Sequence, residues 1–435
     1  MKRHLTLKTA IFAAVLCTAQ LSQAAVTILD KDEWKFQIGG FVQSDMIVDS
    51  TRTLKESPGN EPIPKAGDTS GNGANGRTWF SLRNSRFNFT ILPPAVDGWK
   101  TKGHMEFDLM GSVPSGGTEA SFLSSPTMRM RHAYMSAEKD GWNIIVGQTW
   151  NLFGWVPYYV PATVSVAPVS GIVYQRTPQL TAIKTMALSE SNKLDAGLSI
   201  SRPAQRDNQV PNIDLGLRWS NSGRKSGFAS PTGELKAEPF SVAISGTARQ
   251  FVVQPVGGAA GDQSRQIGSA LAVNTMLPLL SGDEKQGNSL TVTGEFSTGK
   301  GYGDQYPGWT GGLSTKVSGT GTPTALSLDP GIGGLDSGNS FVLVNLKSWN
   351  AQMQYHLPSG SNTFITLGAT QLQSDNIASI TGGTYNEQNT YFGNVFYDCT
   401  KQIRIGVEVS HHTTKYVDGL NGNNNRAQLT AWFRF

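Results

Sequence analysis

The most constraining feature of this sequence is an alternation of apolar and polar residues with a period of two, which recurs along almost the whole chain. Between residues 99 and 110, for example, Met105, Phe107 and Leu109 fall on one face, and Glu106 and Asp108 fall on the other. Successive side chains of a β-strand point to opposite faces, so the pattern predicts a strand with one apolar and one charged face. Such a strand fits a soluble sandwich, whose charged face meets water, and equally a membrane barrel, whose charged face lines a lumen.

The number of such segments favours the barrel. We count sixteen such segments, with an uncertainty of two. Most of them have about the 9–11 residues that a tilted strand needs to cross a bilayer. No run of about 18 consecutive apolar residues occurs between Val26 and Phe435, so the chain offers no transmembrane helix there. An open sheet would leave edge amides facing lipid, which requires closure. The predicted fold class is therefore all-β, a closed antiparallel transmembrane barrel of about 16 strands.

The lengths of the connections give an independent test. If the N-terminus is periplasmic, short turns should alternate with long external loops. Short connections are expected at 92–98, 138–141, 357–362 and 399–402, and long ones at 49–77, 111–126, 150–171 and 300–339. The connection at 220–239 breaks the rule, because it is long where a turn is expected.

The N-terminus predicts export. Residues 1–24 combine basic residues, an apolar run and small residues at Ser22 and Ala24, which is typical of a signal peptide cleaved before Ala25. Residues 25–435 show no linker or internal repeat and are expected to form one barrel domain. Removing three of the 36 basic residues leaves 33 against 32 acids, so the charge gives no argument for a nucleic-acid partner.

The C-terminal segment is the strongest single indication of the compartment. Ala427, Leu429, Ala431 and Phe433 alternate with polar residues, and the chain ends at Phe435. An amphipathic strand with a terminal aromatic residue is the pattern that outer-membrane barrels present to their assembly machinery. We therefore expect this machinery, outer-membrane lipid and lipopolysaccharide as partners, in the outer membrane of a Gram-negative bacterium.

The polar faces predict a lumen with an excess of base. Arg129 and Arg131 are one strand period apart, and Lys100, Lys102 and His104 lie on the neighbouring strand. The same parity places further residues inside: Arg176, Arg218, Arg249 and Arg404, opposed by Asp45, Glu106, Asp108, Glu295 and Glu408. Excess base in a narrow lumen favours anions. The alternative for each single arginine, pairing with a neighbouring carboxylate, stays open.

Two arginines pose a parity conflict. Arg83 and Arg86 have opposite parity, so one of them would face lipid unless a bulge intervenes. We expect Arg86 in the lumen, because Phe87 and Phe89 then face outwards.

The loop at about 150–171 is too apolar to lie in water. We expect it to fold into the barrel as a constriction; packing against a neighbouring subunit is the alternative. Its aromatic residues are Trp150, Phe153, Trp155, Tyr158 and Tyr159.

Four segments carry a family resemblance. These are 76–89 (GRTWFSLRNSRFNF), 103–111 (GHMEFDLMG), 128–134 (MRMRHAY) and 147–159 (GQTWNLFGWVPYY). They resemble the DcaP-like family of outer-membrane porins. The resemblance implies a homotrimer of 16-stranded barrels that passes small anionic solutes, especially dicarboxylates. It also implies that Arg83, Arg86, Arg129 and Arg131 guide them. The family's N-terminal helical extension has no counterpart here, since the first strand begins about ten residues after the predicted cleavage site.

Rival functions have little support in the sequence. An outer-membrane enzyme would need a catalytic constellation, and no histidine lies in a recognisable motif. His104 and Asp108 share a face, which lumen alternation explains. A structural or adhesive barrel remains a second alternative. We expect no catalytic residues, no cofactor and no metal.

Overall fold

The fold was analysed in a computed structural model. It describes residues 25–52, 55–56, 61–65, 67–68, 73–112, 118, 121, 124–166, 169–205, 208–253, 264–313 and 328–435. The predicted signal peptide, residues 1–24, lies outside the described residues.

The chain forms a closed antiparallel barrel of 16 strands, which confirms the predicted fold class. The barrel closes where β1 pairs with β16, from Phe41 opposite Arg434 to Asp49 opposite Arg426. The strands are β1 (Trp34–Asp49), β2 (Arg77–Ser81 and Arg86–Leu92), β3 (Lys100–Asp108), β4 (Arg129–Lys139), β5 (Trp142–Trp150), β6 (Arg176–Ala187), β7 (Asn192–Ser201), β8 (Asn212–Phe228), β9 (Lys236–Val253), β10 (Ser264–Ser281), β11 (Ser289–Lys300), β12 (Asn345–His356), β13 (Thr363–Ser374), β14 (Tyr385–Asp398), β15 (Ile403–Tyr416) and β16 (Asn421–Arg434).

Two further pairings lie outside the sixteen strands. An N-terminal arm, Val26–Lys31, folds back as a hairpin on the start of β1. A short ribbon joins Gly333–Leu335 to Phe341–Leu343 within the loop between β11 and β12. No helix in the described part of the chain is long and apolar enough to span a membrane.

The apolar faces point outwards and the polar faces inwards, which decides between the barrel and a soluble sandwich. On β8, Leu215 and Leu217 are 58% and 49% exposed, whereas Asp214 and Arg218 are 3% and 7% exposed. A soluble sandwich would bury its apolar faces in the core. An outward apolar belt around a closed barrel is the arrangement required by lipid.

The connections alternate in length as expected except at 417–420, a four-residue connection at the end of the barrel that carries the long ones. We term the opposite end the periplasmic end. The prediction of a long connection at 220–239 is wrong. β8 continues to Phe228 and β9 begins at Lys236, with a register shift between Asn221 and Lys225. Strand pairing therefore takes up most of the segment and leaves a connection at 229–235. The small and charged residues of 221–226 concealed the strand, because they lie where the alternation is interrupted by the shift.

An apolar cluster fills one side of the lumen. It is built from the loops after β5, β11 and β13, and these pack against the inner faces of β10 and β12. Its largest members are Phe153, Tyr302, Tyr306, Trp309 and Tyr385, each at most 2% exposed. Three small cavities of the lumen lie along the wall formed by β2–β6.

Candidate pore constriction

The loop after β5 crosses the lumen and is hydrogen-bonded to the opposite wall. Its backbone N–H groups donate to wall side chains on four different strands. These hydrogen bonds are Gly154 to Ser245 (2.9 Å), Ala162 to Gln352 (2.8 Å), Val164 to Glu408 (3.1 Å) and Val173 to Glu295 (3.0 Å). Glu295 and Glu408 therefore hold the loop and are not free carboxylates facing the open lumen.

The aromatic residues of this loop divide into two groups. Phe153, Trp155 and Tyr159 are at most 3% exposed and anchor the loop against the wall, with the Tyr159 hydroxyl 3.0 Å from Oγ of Ser241. Trp150 and Tyr158 are only half-buried and line open space in the lumen.

Three small cavities follow one another along the β2–β6 wall. The outermost, of 130 Å³, is lined by Arg129 and Arg176, and the innermost, of 80 Å³, by Lys102 and Tyr134. The middle cavity is also 80 Å³. The residues that it shares with the outermost cavity are Arg86, Arg131, Val166 and Tyr174. Those that it shares with the innermost cavity are Trp150, Pro157 and Tyr158. The shared residues place the three cavities in a row along this wall, and we refer to this row as the path.

A β-bulge concentrates charge at this path. The pairing of β3 with β4 shifts register between Glu106 and Phe107, so that Arg131 and His132 both face inwards. Arg131 then binds Glu106 through Nε and Asp108 through Nη1, the latter at 3.1 Å. Arg129 forms a bidentate pair with Asp108 at 3.0 and 2.6 Å.

Arg86 and Arg176 differ from the other lumen arginines. Among the described residues, no carboxylate forms an ion pair with either of them. Arg86 donates to the carbonyl of Val166 at 3.0 Å, and the guanidinium of Arg176 lies 4.5 Å from the ring centroid of Trp150. Both side chains line the outermost cavity.

The parity conflict between Arg83 and Arg86 is resolved by a break in β2. Residues 82–85 leave the strand, and both arginines are buried, at 4% and 6% exposure. Arg83 binds Glu56 of the first external loop at 3.1 Å and does not line the three cavities. Phe89 faces outwards, as expected.

Arg176 reaches the cavity against the parity of its strand. Thr177 and Gln179 are the inward residues of β6, so Arg176 has the outward parity. It is the first residue of the strand, and its side chain turns over the rings of Trp150 and Tyr174. The parity argument for Arg176 is therefore wrong, although the residue does line the lumen.

The remaining predicted lumen bases occupy different depths. Lys102 lies 5.1 Å above the ring of Tyr134 in the innermost cavity, and Lys100 is exposed at the periplasmic end of β3. His104 shares a hydrogen bond with Thr90 at 2.9 Å. Three predicted inward arginines are paired instead with acids: Arg218 with Asp195, Arg249 with Asp304 and Arg404 with Asp398.

Sequence reasoning missed Tyr174, which lies just beyond the predicted end of the constriction loop. The residue is 7% exposed and sits beside three arginines of the path. Burial raises the pKa of its phenol, but the guanidinium groups of Arg131, Arg86 and Arg176 outweigh this effect and lower it to about 8. The shift reports a strongly positive environment.

Comparison with solved structures identifies the fold. No protein-family model matches the chain, and no curated protein sequence matches it significantly. The outer membrane channel DcaP of Acinetobacter baumannii superposes with a TM-score of 0.62 at 17% identity, over 92% of this chain and 97% of that one. OmpT, an outer membrane protein of Vibrio cholerae, gives 0.53 at 11% identity, over 94% and 100%. Salmonella typhi OmpF gives 0.51 at 9% identity, again over 94% and 100%. The chain has the fold of Gram-negative outer-membrane porins, and the DcaP-like resemblance is confirmed at the level of the fold.

Proposed function

We propose that this chain, which has a DcaP-like porin fold, is a passive outer-membrane diffusion channel that prefers small anions. The observation that carries the proposal is the charge balance of the path. Four guanidinium groups, those of Arg86, Arg129, Arg131 and Arg176, surround the outer and middle cavities. Two carboxylates, Glu106 and Asp108, pair with two of them, which leaves an excess of two positive charges.

Most other lumen acids are already engaged. Glu295 and Glu408 bind the constriction loop, and Asp195, Asp304 and Asp398 pair with arginines. A narrow, low-dielectric passage with uncompensated base concentrates anions and repels cations. Arg86 and Arg176 offer two guanidinium groups at one cavity that form no ion pair with a carboxylate of the described residues, which suits a solute with two carboxylates. We therefore infer small dicarboxylates as the preferred solute class, with Lys102 and Lys100 continuing the positive wall towards the periplasm.

The proposed assembly is a homotrimer in the outer membrane, surrounded by lipid and lipopolysaccharide. One solved structure of V. cholerae OmpT, at a TM-score of 0.52, is described as a trimer form. Insertion would use the C-terminal strand β16, whose outward residues end at Phe433 and Phe435. An enzymatic or adhesive role is the alternative that the same experiment addresses.

The test is the reversal potential of the purified protein in a planar bilayer across a KCl gradient, followed by block with succinate. We expect anion-selective current and succinate block in the native chain. The double variant Arg86→Gln/Arg176→Gln should lose most of both, because it removes the two charges that lack carboxylate partners.

The matched control is Arg202→Gln/Lys347→Gln, which removes the same charge at two exposed ion pairs outside the lumen. Selectivity should be unchanged in this variant. Cation selectivity of the native chain would contradict the proposal, and absence of any conductance would favour a plugged or enzymatic barrel.

A further inference from the structure

The connection between β8 and β9, residues 229–235, folds into the barrel from its periplasmic end. Phe228, Ala229 and Thr232 are at most 5% exposed. Periplasmic turns of outer-membrane barrels are generally short and lie outside the lumen. A peptide segment inside a barrel requires a partner for each backbone donor and acceptor, so its position depends on what the wall supplies.

Three wall side chains bind the connection: Gln354, Arg404 and Arg434, the last of which donates to the carbonyl of Gly233 at 3.5 Å. The amide of Gln354 pairs with both backbone groups of Ala229, accepting from its N–H at 2.7 Å and donating to its carbonyl at 3.0 Å. The guanidinium of Arg404 donates to the carbonyls of Ser230 and Pro231, each at 2.9 Å. Its other N–H groups hold Asp398 in a bidentate pair at 2.7 Å. Arg404 is completely buried. It therefore holds this connection in place by hydrogen bonds and is not a free charge of the lumen.

Apolar packing joins the connection to the constriction loop. Ala229 and Leu235 belong to one cluster with Val164 and Val166 of that loop and with the wall residues Phe364 and Trp432. The two inserted segments therefore support one another across the lumen.

The connection also borders the solute path directly. Ser230, Pro231 and Thr232 line the same 80 Å³ cavity as Arg86 and Arg131. The constriction is thus enclosed by the arginine wall, by the loop after β5 and by a segment that enters from the opposite side of the membrane.

Length alone does not explain the insertion. The connection between β10 and β11, residues 282–288, contains the same number of residues, yet most of its residues are exposed. It is closed by its own hydrogen bonds, from Asp283 N–H to the carbonyl of Gly287 and from Gln286 N–H to the carbonyl of Asp283. The difference lies in the partners: Gln354, Arg404 and Arg434 of the wall bind the first connection, whereas Ser359 of the neighbouring turn binds Asp283 of the other.

We propose that residues 229–235 are a second constriction element that sets the size limit of the channel from the periplasmic side. The inference rests on the proposed channel function. In this arrangement the arginines select by charge, whereas the β8–β9 connection selects by size, so the two properties are separable by mutation.

The experiment replaces residues 229–235 with Asn-Gly. Phe228 and Lys236 are directly paired, which is the geometry that a two-residue hairpin turn requires. We expect a severalfold increase in single-channel conductance and entry of larger polyethylene glycols, with the anion preference retained. The matched control replaces residues 282–288 with Asn-Gly between the paired residues Ser281 and Ser289, and it should change neither property.

A second variant covers the case in which the shortened hairpin does not fold. Gln354→Ala/Arg404→Ala keeps the connection but removes four of its hydrogen bonds to the wall, and we expect higher and noisier conductance with a larger polyethylene glycol cut-off. Unchanged conductance and cut-off in both folded variants would overturn the proposal. The two proposals are tested by different measurements. The reversal potential of the native chain tests the anion preference, whereas the change in conductance and polyethylene glycol cut-off on shortening the connection tests the size limit.

Discussion

At the scale of single residues, the partners of each guanidinium group separate arginines with the same predicted orientation into different roles. Arg404 has bidentate and carbonyl partners and holds a connection, whereas Arg86 and Arg176 line open space without a carboxylate partner. Paired charges contribute little field beyond their immediate surroundings. The number of lumen arginines is therefore a poorer guide to ion selectivity than the number left without a counter-ion.

We expect Tyr174 to make the proposed anion selectivity dependent on pH. Its phenol lies in the inserted loop, and the three guanidinium groups that act on it come from Arg86 on β2, Arg131 on β4 and Arg176 on β6. With a pKa of about 8, the phenol is neutral at pH 7 and becomes a phenolate as the pH rises through 8. The new negative charge cancels part of the positive excess, so anion selectivity should fall between pH 7 and pH 9.

The measurement is the reversal potential across a KCl gradient at pH 7, 8 and 9. Tyr174→Phe is the control that retains the ring, and it should remove the decline over this interval. A decline of the same size in both proteins would show that another group is responsible.

At the scale of elements, the constriction loop is positioned by wall side chains, and its apolar sequence accounts for only part of its placement. Val164 N–H donates to Glu408, a residue 5% exposed, and this carboxylate also accepts from Asn394 at 2.8 Å. Removing it leaves a buried N–H without a partner, which costs about 1–3 kcal/mol.

We expect Glu408→Ala to lower the free energy of unfolding by about 1–3 kcal/mol and to increase current fluctuations, since one attachment of the loop is lost. Urea unfolding in bilayers and single-channel recording measure the two effects. The control is Asp375→Ala, whose ion pair with Lys347 has both side chains about half exposed, and its expected cost is only about 0–1 kcal/mol. Equal effects in both variants would contradict a specific role in holding the loop.

At the scale of the whole molecule, the apolar faces of the strands point outwards, whereas those of a soluble protein point into its core. The outward strand residues of this barrel form an apolar belt, and its inward strand residues are largely Ser, Thr, Asn, Gln and charged residues, with the apolar cluster of the inserted loops packed inside. This arrangement is stable only if lipid covers the belt.

Leu217→Arg tests this orientation. Leu217 lies in the belt of β8, and an arginine near the bilayer midplane is expected to cost about 2–4 kcal/mol. Ser222→Arg is the matched control, because it lies on the same strand where Arg224 and Lys225 are already exposed, and it should cost only about 0–1 kcal/mol. Reversible folding into phosphatidylcholine vesicles measures both, and a cost for Leu217→Arg no larger than that of the control would argue against a lipid-facing belt.

The sequence by itself determined the strands, their two faces, the closure of the barrel and the loop that enters it. These follow from local alternation and from the requirement that edge amides be paired in lipid. Alternation failed where the chain departs from regular strand geometry: at the break in β2, at the bulge between Glu106 and Phe107, at the first residue of β6, and at the register shift after Asn221. Each of these irregularities sets the position of a residue that lines the constriction or holds one of the inserted segments.

Only the tertiary structure decided which charges are free and which segments fill the lumen. The inserted segments that bind Arg404, Glu408 and Glu295 lie far away in sequence, and no periodicity within one strand can reveal them. The physical reason is that a closed barrel brings its wall and the inserted loops within hydrogen-bond distance. Which arginines meet a carboxylate is decided by the register between neighbouring strands, as at the bulge between Glu106 and Phe107.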